Sequence, residues 1–222
     1  MELGGATERS AAAELLRRAL EVLVAATLLV LTLPVLVLVL VGSAASLRAN
    51  PIFVQERVGL GGRPFRFVKV RTLPVTAPAY ADKHQLDLAA VPPFCRLVRN
   101  LHLDEIPQLL LVLVGRMSLV GPRPEMRCLH DTMDPDFALR RTSVRPGCTG
   151  IWQVSEASRG LIREAPEYDD FYLEHRTLRL DAWILYRTVR KMLGARRPVD
   201  LDGVPAWALR QPDAVTEPAT AR

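Results

Sequence analysis

The chain has 222 residues, 49% of them hydrophobic and 6% aromatic, with 29 Lys and Arg against 24 Asp and Glu for a formal charge of +5. That length suits one core with tails, not two ordinary domains plus a linker, and the composition excludes collagen-like, disulfide-built and globally disordered chains. Cys95, Cys128 and Cys148 are odd in number and lack the spacings that metal sites need, so they read as reduced thiols in a cytosolic compartment. The basic balance favours an anionic partner, whether phosphate, nucleic acid or lipid headgroup.

Residues 1–14 read as a disordered N-terminus and 15–48 as a membrane-embedded helix. Residues 22–41 are apolar except for Thr27, Thr32 and Pro34, and no charge falls between Glu21 and Arg48. A helix of that length matches the hydrocarbon thickness of a bilayer, and the run exceeds the apolar core of a usual signal peptide. Arg9, Arg17 and Arg18 precede it, and Arg48, Arg57, Arg63, Arg66, Lys69 and Arg71 follow. The positive-inside rule places both flanks in the cytoplasm, which one straight span cannot satisfy. A re-entrant helix broken at Pro34 can; an ordinary span that tolerates its proline remains the alternative.

Residues 52–58 and 64–70 are short β-type runs separated by Gly59-Leu60-Gly61-Gly62, which predicts a hairpin. Period two puts Phe65, Phe67, Lys69 and Arg71 on one face, so two cations project from a strand end; a solvated basic edge is the bland reading. Residues 73–93 read as an irregular, proline-bearing loop. Helices are expected over about 94–100 and 106–114, the second apolar all round and stopped by Gly115, hence deeply buried or against lipid.

Proline turns follow at 121–124 and 145–147, then a helix over about 168–193. Its wheel gathers Leu178, Ala182, Leu185, Tyr186, Val189, Met192 and Leu193 on one face, with Arg187, Arg190, Lys191 and Trp183 opposite or beside it. That pattern suits either a helix lying on an anionic membrane or a core helix with a solvated back. Residues 49–199 form the expected catalytic domain and 200–222 a flexible tail. The fold class is therefore α+β, mainly helical: a membrane helix followed by a small domain with a β-hairpin and amphipathic surface helices.

The candidate centre is Asp104-Glu105, two carboxylates expected to open the second apolar helix, where the dipole keeps them ionised. An ionised Asp can act as a nucleophile, although acidic residues in a first turn also merely stabilise helices. Attack on phosphate needs cations and usually a divalent metal held by oxygen ligands. Lys69, Arg71, Arg99, Arg123 and Arg145 are the available cations, and arginine matches phosphate oxygens bidentately. No Walker A, GxGxxG, HExxH or GxSxG pattern occurs, and the cations lie among proline turns and apolar helices, so nucleic acid is not an expected partner.

An ordered series of motifs carries a resemblance. Pro51-Ile52-Phe53-Val54-Gln55-Glu56-Arg57-Val58-Gly59, Lys69-Val70-Arg71-Thr72, Leu103-Asp104-Glu105-Ile106-Pro107-Gln108, Met117-Ser118-Leu119-Val120-Gly121-Pro122-Arg123-Pro124-Glu125 and Arg145-Pro146-Gly147-Cys148-Thr149-Gly150-Ile151-Trp152-Gln153-Val154 look like those of the bacterial sugar transferases, the monotopic phosphoglycosyl transferases. The similarity runs from the membrane segment to about Leu193 and resembles the minimal type. It implies transfer of a phosphosugar from a nucleotide diphosphate sugar, by default a UDP-sugar, to undecaprenyl phosphate at the cytoplasmic face of the inner membrane, with Mg²⁺.

By that resemblance Asp104 is the nucleophile, releasing UMP and carrying the phosphosugar, and Glu105 holds the metal. Arg99 and Arg123 bind phosphate or nucleotide, Lys69, Arg71 and Arg145 line the same pocket, and Pro34 breaks a re-entrant helix. Downstream glycosyltransferases and a second copy of the chain are further partners it suggests. His102 stands where the family often has a capping Ser, Arg116 where an acid is frequent, and residues 74–93 depart from the usual pattern. An inactive membrane-anchored scaffold for acidic lipid or a partner glycosyltransferase is the competing class.

Overall fold

The computed structural model describes residues 3–77, 90–194 and 198–209, with side chains from residue 12. Helix α1, Leu3–Leu47, opens the chain and contains Pro34. At about 1.5 Å per residue its 45 residues extend roughly 67 Å, more than twice the bilayer core. It begins upstream of residue 15: Ala11, Ala12 and Ala13 carry the highest helix propensity, while Gly4 and Gly5 fall in the first turn. Helix α1 continues on both sides of Pro34, where the proline deletes one backbone donor and its ring favours a bend rather than a stop.

Both ends of α1 pack on one domain. Arg17, Glu21 and Ala25 are buried at one end, Leu36, Val39 and Ser43 at the other, while Val30, Leu31, Leu33 and Val35 between them are exposed. Ser43 Oγ donates to the carbonyl of Arg71, and Gly42 leaves no room for a Cβ beneath the ring of Phe94.

Strands β1 (Ile52–Val58) and β2 (Pro64–Val70) form the expected antiparallel hairpin, in register from Ile52↔Val70 to Val58↔Pro64. Gly61 and Gly62, at φ +64° and +71°, make its turn. The two faces of β2 have different tasks. Phe65 and Phe67 enter the main core, whereas Val70 joins Leu36, Val39, Val98 and Ile106 beneath α1.

Helix α2, Pro93–Asn100, is followed by a 3₁₀ turn at Leu103–Glu105 and by α3, Gln108–Leu113. Leu111 and Val112 of α3 are buried, but Leu110 and Val114 are exposed, so the all-apolar helix is only half covered. Strand β3 (Ser118–Val120) pairs in parallel with β4 (Gly147–Thr149). Between them lie α4 (Arg127–His130) and α5 (Pro135–Arg141), and α6 (Ile151–Val154) follows.

The single long helix expected over 168–193 is two, α7 (Glu167–His175) and α8 (Leu178–Met192). Thr177 adopts an extended conformation and its side chain accepts from Leu180 N at 3.1 Å, a cap that starts a new helix. Helix α8 buries Leu180, Asp181, Trp183 and Ile184, and it exposes Leu178, Tyr186, Val189, Met192 and Leu193. The apolar wheel face is thus the outward one, and Trp183 lies inward with Arg187 over its ring at 5.8 Å.

The chain beyond residue 200 is ordered further than its composition suggests. Val199, Val204 and Ala208 belong to the main core, and Thr177 Oγ1 donates to Ala208 O at 2.8 Å. These apolar residues, rather than the prolines around them, decide the packing. Residues 210–222, 78–89 and 195–197 lie outside the described residues, as does part of the expected loop over 73–93.

Candidate active site

Asp104 and Glu105 occupy the 3₁₀ turn, not the first turn of α3, whose N-cap is Pro107. His102 precedes them at φ +55° and makes no side-chain cap bond. The helix dipole therefore does not govern Asp104. Its residue is 6% exposed, and burial, reinforced by the charge of Glu105 and opposed by Lys69 and Arg99, raises its carboxyl to about 6.

The hairpin supplies the facing cations. Cross-strand pairing sets Phe53 opposite Lys69 and Arg57 opposite Phe65, so Phe53, Gln55, Arg57, Phe67 and Lys69 share one face. Lys69 Nζ lies 5.2 Å and Arg71 Cζ 5.5 Å from the Phe53 ring. Burial lowers Lys69 to about 8, with Asp104 opposing and Arg99 assisting the shift. Burial likewise lowers Arg57 to about 10, and the neighbouring charge of Arg123 adds to it.

Each arginine is held. Arg71 Nε donates to Asn50 O at 2.9 Å, and Arg99 Nη1 to Thr72 Oγ1 at 3.2 Å. Arg123 is presented by a loop whose four consecutive carbonyls all accept. Pro122 O takes Gly147 N at 2.9 Å, Arg123 O takes Arg141 Nη2 at 2.8 Å, Pro124 O takes Arg57 Nη1 at 3.1 Å, and Glu125 O takes Val58 N at 3.0 Å. Arg141 is in turn fixed by Asp169 at 3.0 Å, with both side chains 3% exposed. A cation on such a loop pays little entropy to meet an anion.

A cavity of about 200 Å³ collects these groups: Arg57, Lys69, Arg71, Arg99, Arg123 and Glu125 line it together with Met126, Leu129, Met133, Trp152, Ile162 and Arg163. Asp104 and Glu105 are not among its lining residues; they couple to it through Lys69 and Arg99. Arg145 lies elsewhere. Its Nε donates to Gly115 O at 3.0 Å, and it faces the charge of Glu14 on α1. Arg57 is a further cavity residue, one not singled out for the site from sequence; period two on β1 groups it with Phe53 and Gln55, and the hairpin register then puts that face together with the Lys69 face of β2.

No group of three or more His, Cys, Asp or Glu that could cage a metal occurs among the described residues. The adjacent Asp104 and Glu105 carboxylates repel one another in the shift of Asp104, which a cation would relieve. One or two carboxylates fit Mg²⁺, which keeps waters and takes substrate phosphates as ligands, and do not fit Zn²⁺ or Ca²⁺ cages.

A buried carboxylate coupled to a cluster of held cations, on a domain packed against one helix long and apolar enough to cross a membrane, is the arrangement of an anion-binding protein with a membrane anchor. The model of the family described as bacterial sugar transferase matches residues 12–195, and the chain belongs to that family.

Among curated relatives, the chain is 37% identical over 154 residues to the UDP-N-acetylgalactosamine-undecaprenyl-phosphate N-acetylgalactosaminephosphotransferase of Aeromonas hydrophila, covering 65% of this chain and 36% of that protein. It is 36% identical over 192 residues to the UDP-glucose:undecaprenyl-phosphate glucose-1-phosphate transferase of Caulobacter vibrioides, covering 82% and 71%. The exopolysaccharide production protein ExoY of Sinorhizobium fredii is 29% identical over 191 residues, covering 78% and 83%. The chain thus spans only about a third of the Aeromonas protein and most of the other two.

Proposed function

We propose that the protein transfers a phosphosugar from a UDP-sugar to undecaprenyl phosphate, releasing UMP, as an initiating step of exopolysaccharide or related glycan synthesis. The observation that carries this reading is Asp104, buried and coupled to Lys69 and Arg99, next to a cavity that Arg57, Arg71 and Arg123 also line.

A carboxylate oxygen of Asp104 attacks the sugar-linked phosphorus. The bond from that phosphorus to the bridging oxygen breaks, and UMP leaves with the electron pair. An oxygen of undecaprenyl phosphate then attacks the same phosphorus and expels the Asp104 carboxylate, giving the diphosphate-linked lipid. Covalent capture divides a transfer between a soluble donor and a membrane acceptor into two displacements at one site. Lys69, Arg99 and Arg123 neutralise charge that builds on the phosphoryl oxygens. Glu105 would hold Mg²⁺, which supplies further neutralisation of the diphosphate when bound.

The docking of two stretches of α1, residues 17–25 and 36–43, on one domain supports a re-entrant arrangement, since a straight span would carry one of them away; the basic residues on both flanks favour the cytoplasmic side. The direct test is UMP release by the detergent-solubilised full-length protein from a panel including UDP-glucose, UDP-galactose and UDP-N-acetylgalactosamine, with Mg²⁺ and undecaprenyl phosphate. One donor should yield both UMP and lipid-linked product. Absence of UMP from every donor, with EDTA making no difference to folded protein, would overturn the reading.

A further inference from the structure

Two chemically different groups of residues line the cavity, and they relate differently to the membrane helix. In one are Arg71 and Thr72; the Arg71 carbonyl is bonded by Ser43 of α1, and Thr72 accepts from Arg99. In the other, Met126, Leu129, Met133, Trp152 and Ile162 form an apolar wall with Arg163 beside it. Met133, Trp152 and Ile162 belong to a separate small core with Phe137, Ala138 and Ala165, and no residue of α1 takes part in it. The other two cores both include α1, through Ala25 or through Leu36 and Val39.

Resting on the proposed reaction, we infer that the Met126/Met133/Trp152/Ile162 wall, with Arg163, is the subsite for the nucleoside of the donor, and that the lipid phosphate enters at the opposite, Arg71/Thr72 end. Two substrates must present phosphorus to one carboxylate from different phases. The lipid is confined to the membrane and so reaches the end tied to α1. The donor arrives from water and occupies the end remote from it. Its sugar is rich in hydroxyl groups, whereas its base offers an apolar face with polar edges, the complement of an apolar wall with a cation at its margin.

The wall is also built to persist. Arg163 Nη1 donates to Thr132 Oγ1 at 2.8 Å, joining the 3₁₀ turn Ile162–Glu164 to the segment after α4 across this end of the cavity. Within the turn, Leu161 N donates to Glu164 Oε2 at 3.1 Å. Arg163 is exposed, so it can be replaced without opening the core, whereas Trp152 and Ile162 are buried.

The experiment uses the full-length solubilised protein and two probes, UMP and inorganic pyrophosphate, measured by calorimetry for wild type, Arg163→Met and Arg123→Met. Arg163→Met should weaken UMP roughly tenfold, the scale of one lost polar contact, and leave pyrophosphate unchanged. Arg123→Met should weaken both.

Photo-crosslinking of the wild type with 4-thio-UMP, mapped by mass spectrometry, needs no variant to fold. Adducts should fall within 126–133, at Trp152 or within 160–163. Adducts within 71–77 or 93–99, or an equal loss of both probes in Arg163→Met, would overturn the subsite while leaving the transferase reading intact. A wild type that binds pyrophosphate but shows neither UMP affinity nor any crosslink would overturn both.

Discussion

Arg17 in α1 and Asp181 in α8 meet at 2.6 Å with 6% and 10% of their side chains exposed, and Tyr172 OH lies within hydrogen-bond reach of both, at 2.6 and 3.0 Å. A cation that hydropathy treats as a flanking charge of the membrane helix is therefore a core residue of the catalytic domain. Next to it Glu21 accepts from Ser118 Oγ and, at 3.1 Å, from Arg18 Nη1. Ser118 begins β3, which leads directly into the Arg123 loop. Helix α1 thus clamps the strand that leads to Arg123, an arginine of the cavity wall.

Breaking this pair leaves an uncompensated buried carboxylate. Arg17→Ala should destabilise the protein by about 3–5 kcal/mol. Thermal melting in detergent checks it, and a melting temperature within one degree of wild type would show that water solvates Asp181 there.

Asp104→Asn should abolish transfer and also stabilise the fold. With its carboxyl raised from 3.8 to about 6, folding binds the proton more tightly than unfolding does. The contribution of Asp104 is favourable below pH 3.8 and is lost as pH rises through 6. At pH 7.5 the ionised residue costs on the order of 2–3 kcal/mol, which Asn does not incur. Denaturation of both proteins at pH 7.5 and pH 5 should show the variant's advantage shrinking on acidification.

Activity should follow a bell. Asp104 must be ionised, so the rate falls as pH drops through about 6, and Lys69 must be charged, so it falls as pH rises through about 8. The measurement is kcat/KM for the donor from pH 5 to 9; a missing acid limb would exclude the role of Asp104, and a missing alkaline limb that of Lys69.

Glu105→Gln should raise the Mg²⁺ concentration needed for half-maximal turnover by roughly tenfold, as loss of one charged oxygen ligand requires. A metal titration of UMP release decides it. An unchanged curve would place the metal on substrate phosphates alone.

Gly121 and Gly147 pack backbone to backbone where β3 and β4 run in parallel, and a Cβ on Gly147 would collide with Gly121 N and Thr149 O. Gly147→Ala should cost about 3 kcal/mol and disturb the Arg123 loop, which Gly147 N supports through Pro122 O. Gly203→Ala, with nothing within 4 Å of the added carbon, is the matched control and should melt like wild type.

The sequence by itself determined the elements whose signal is local. Alternation and glycine punctuation located both strands of the hairpin at their observed bounds. Charge-free length identified the long apolar helix. Tertiary structure decided what depends on which surfaces meet. Both sides of α8 carry apolar groups, so periodicity could say that Leu178, Tyr186 and Val189 share a face but not that Leu180, Trp183 and Ile184 would be the buried one.

The burial that raises Asp104 against its dipole expectation, the placing of Arg145 against Gly115 rather than in the cavity, and the meeting of Arg57 with Arg123 likewise arise from chain segments far apart in sequence. Hydrogen-bond periodicity is a property of neighbours along the chain. Burial and charge coupling are properties of neighbours in space, and only the packed fold creates those.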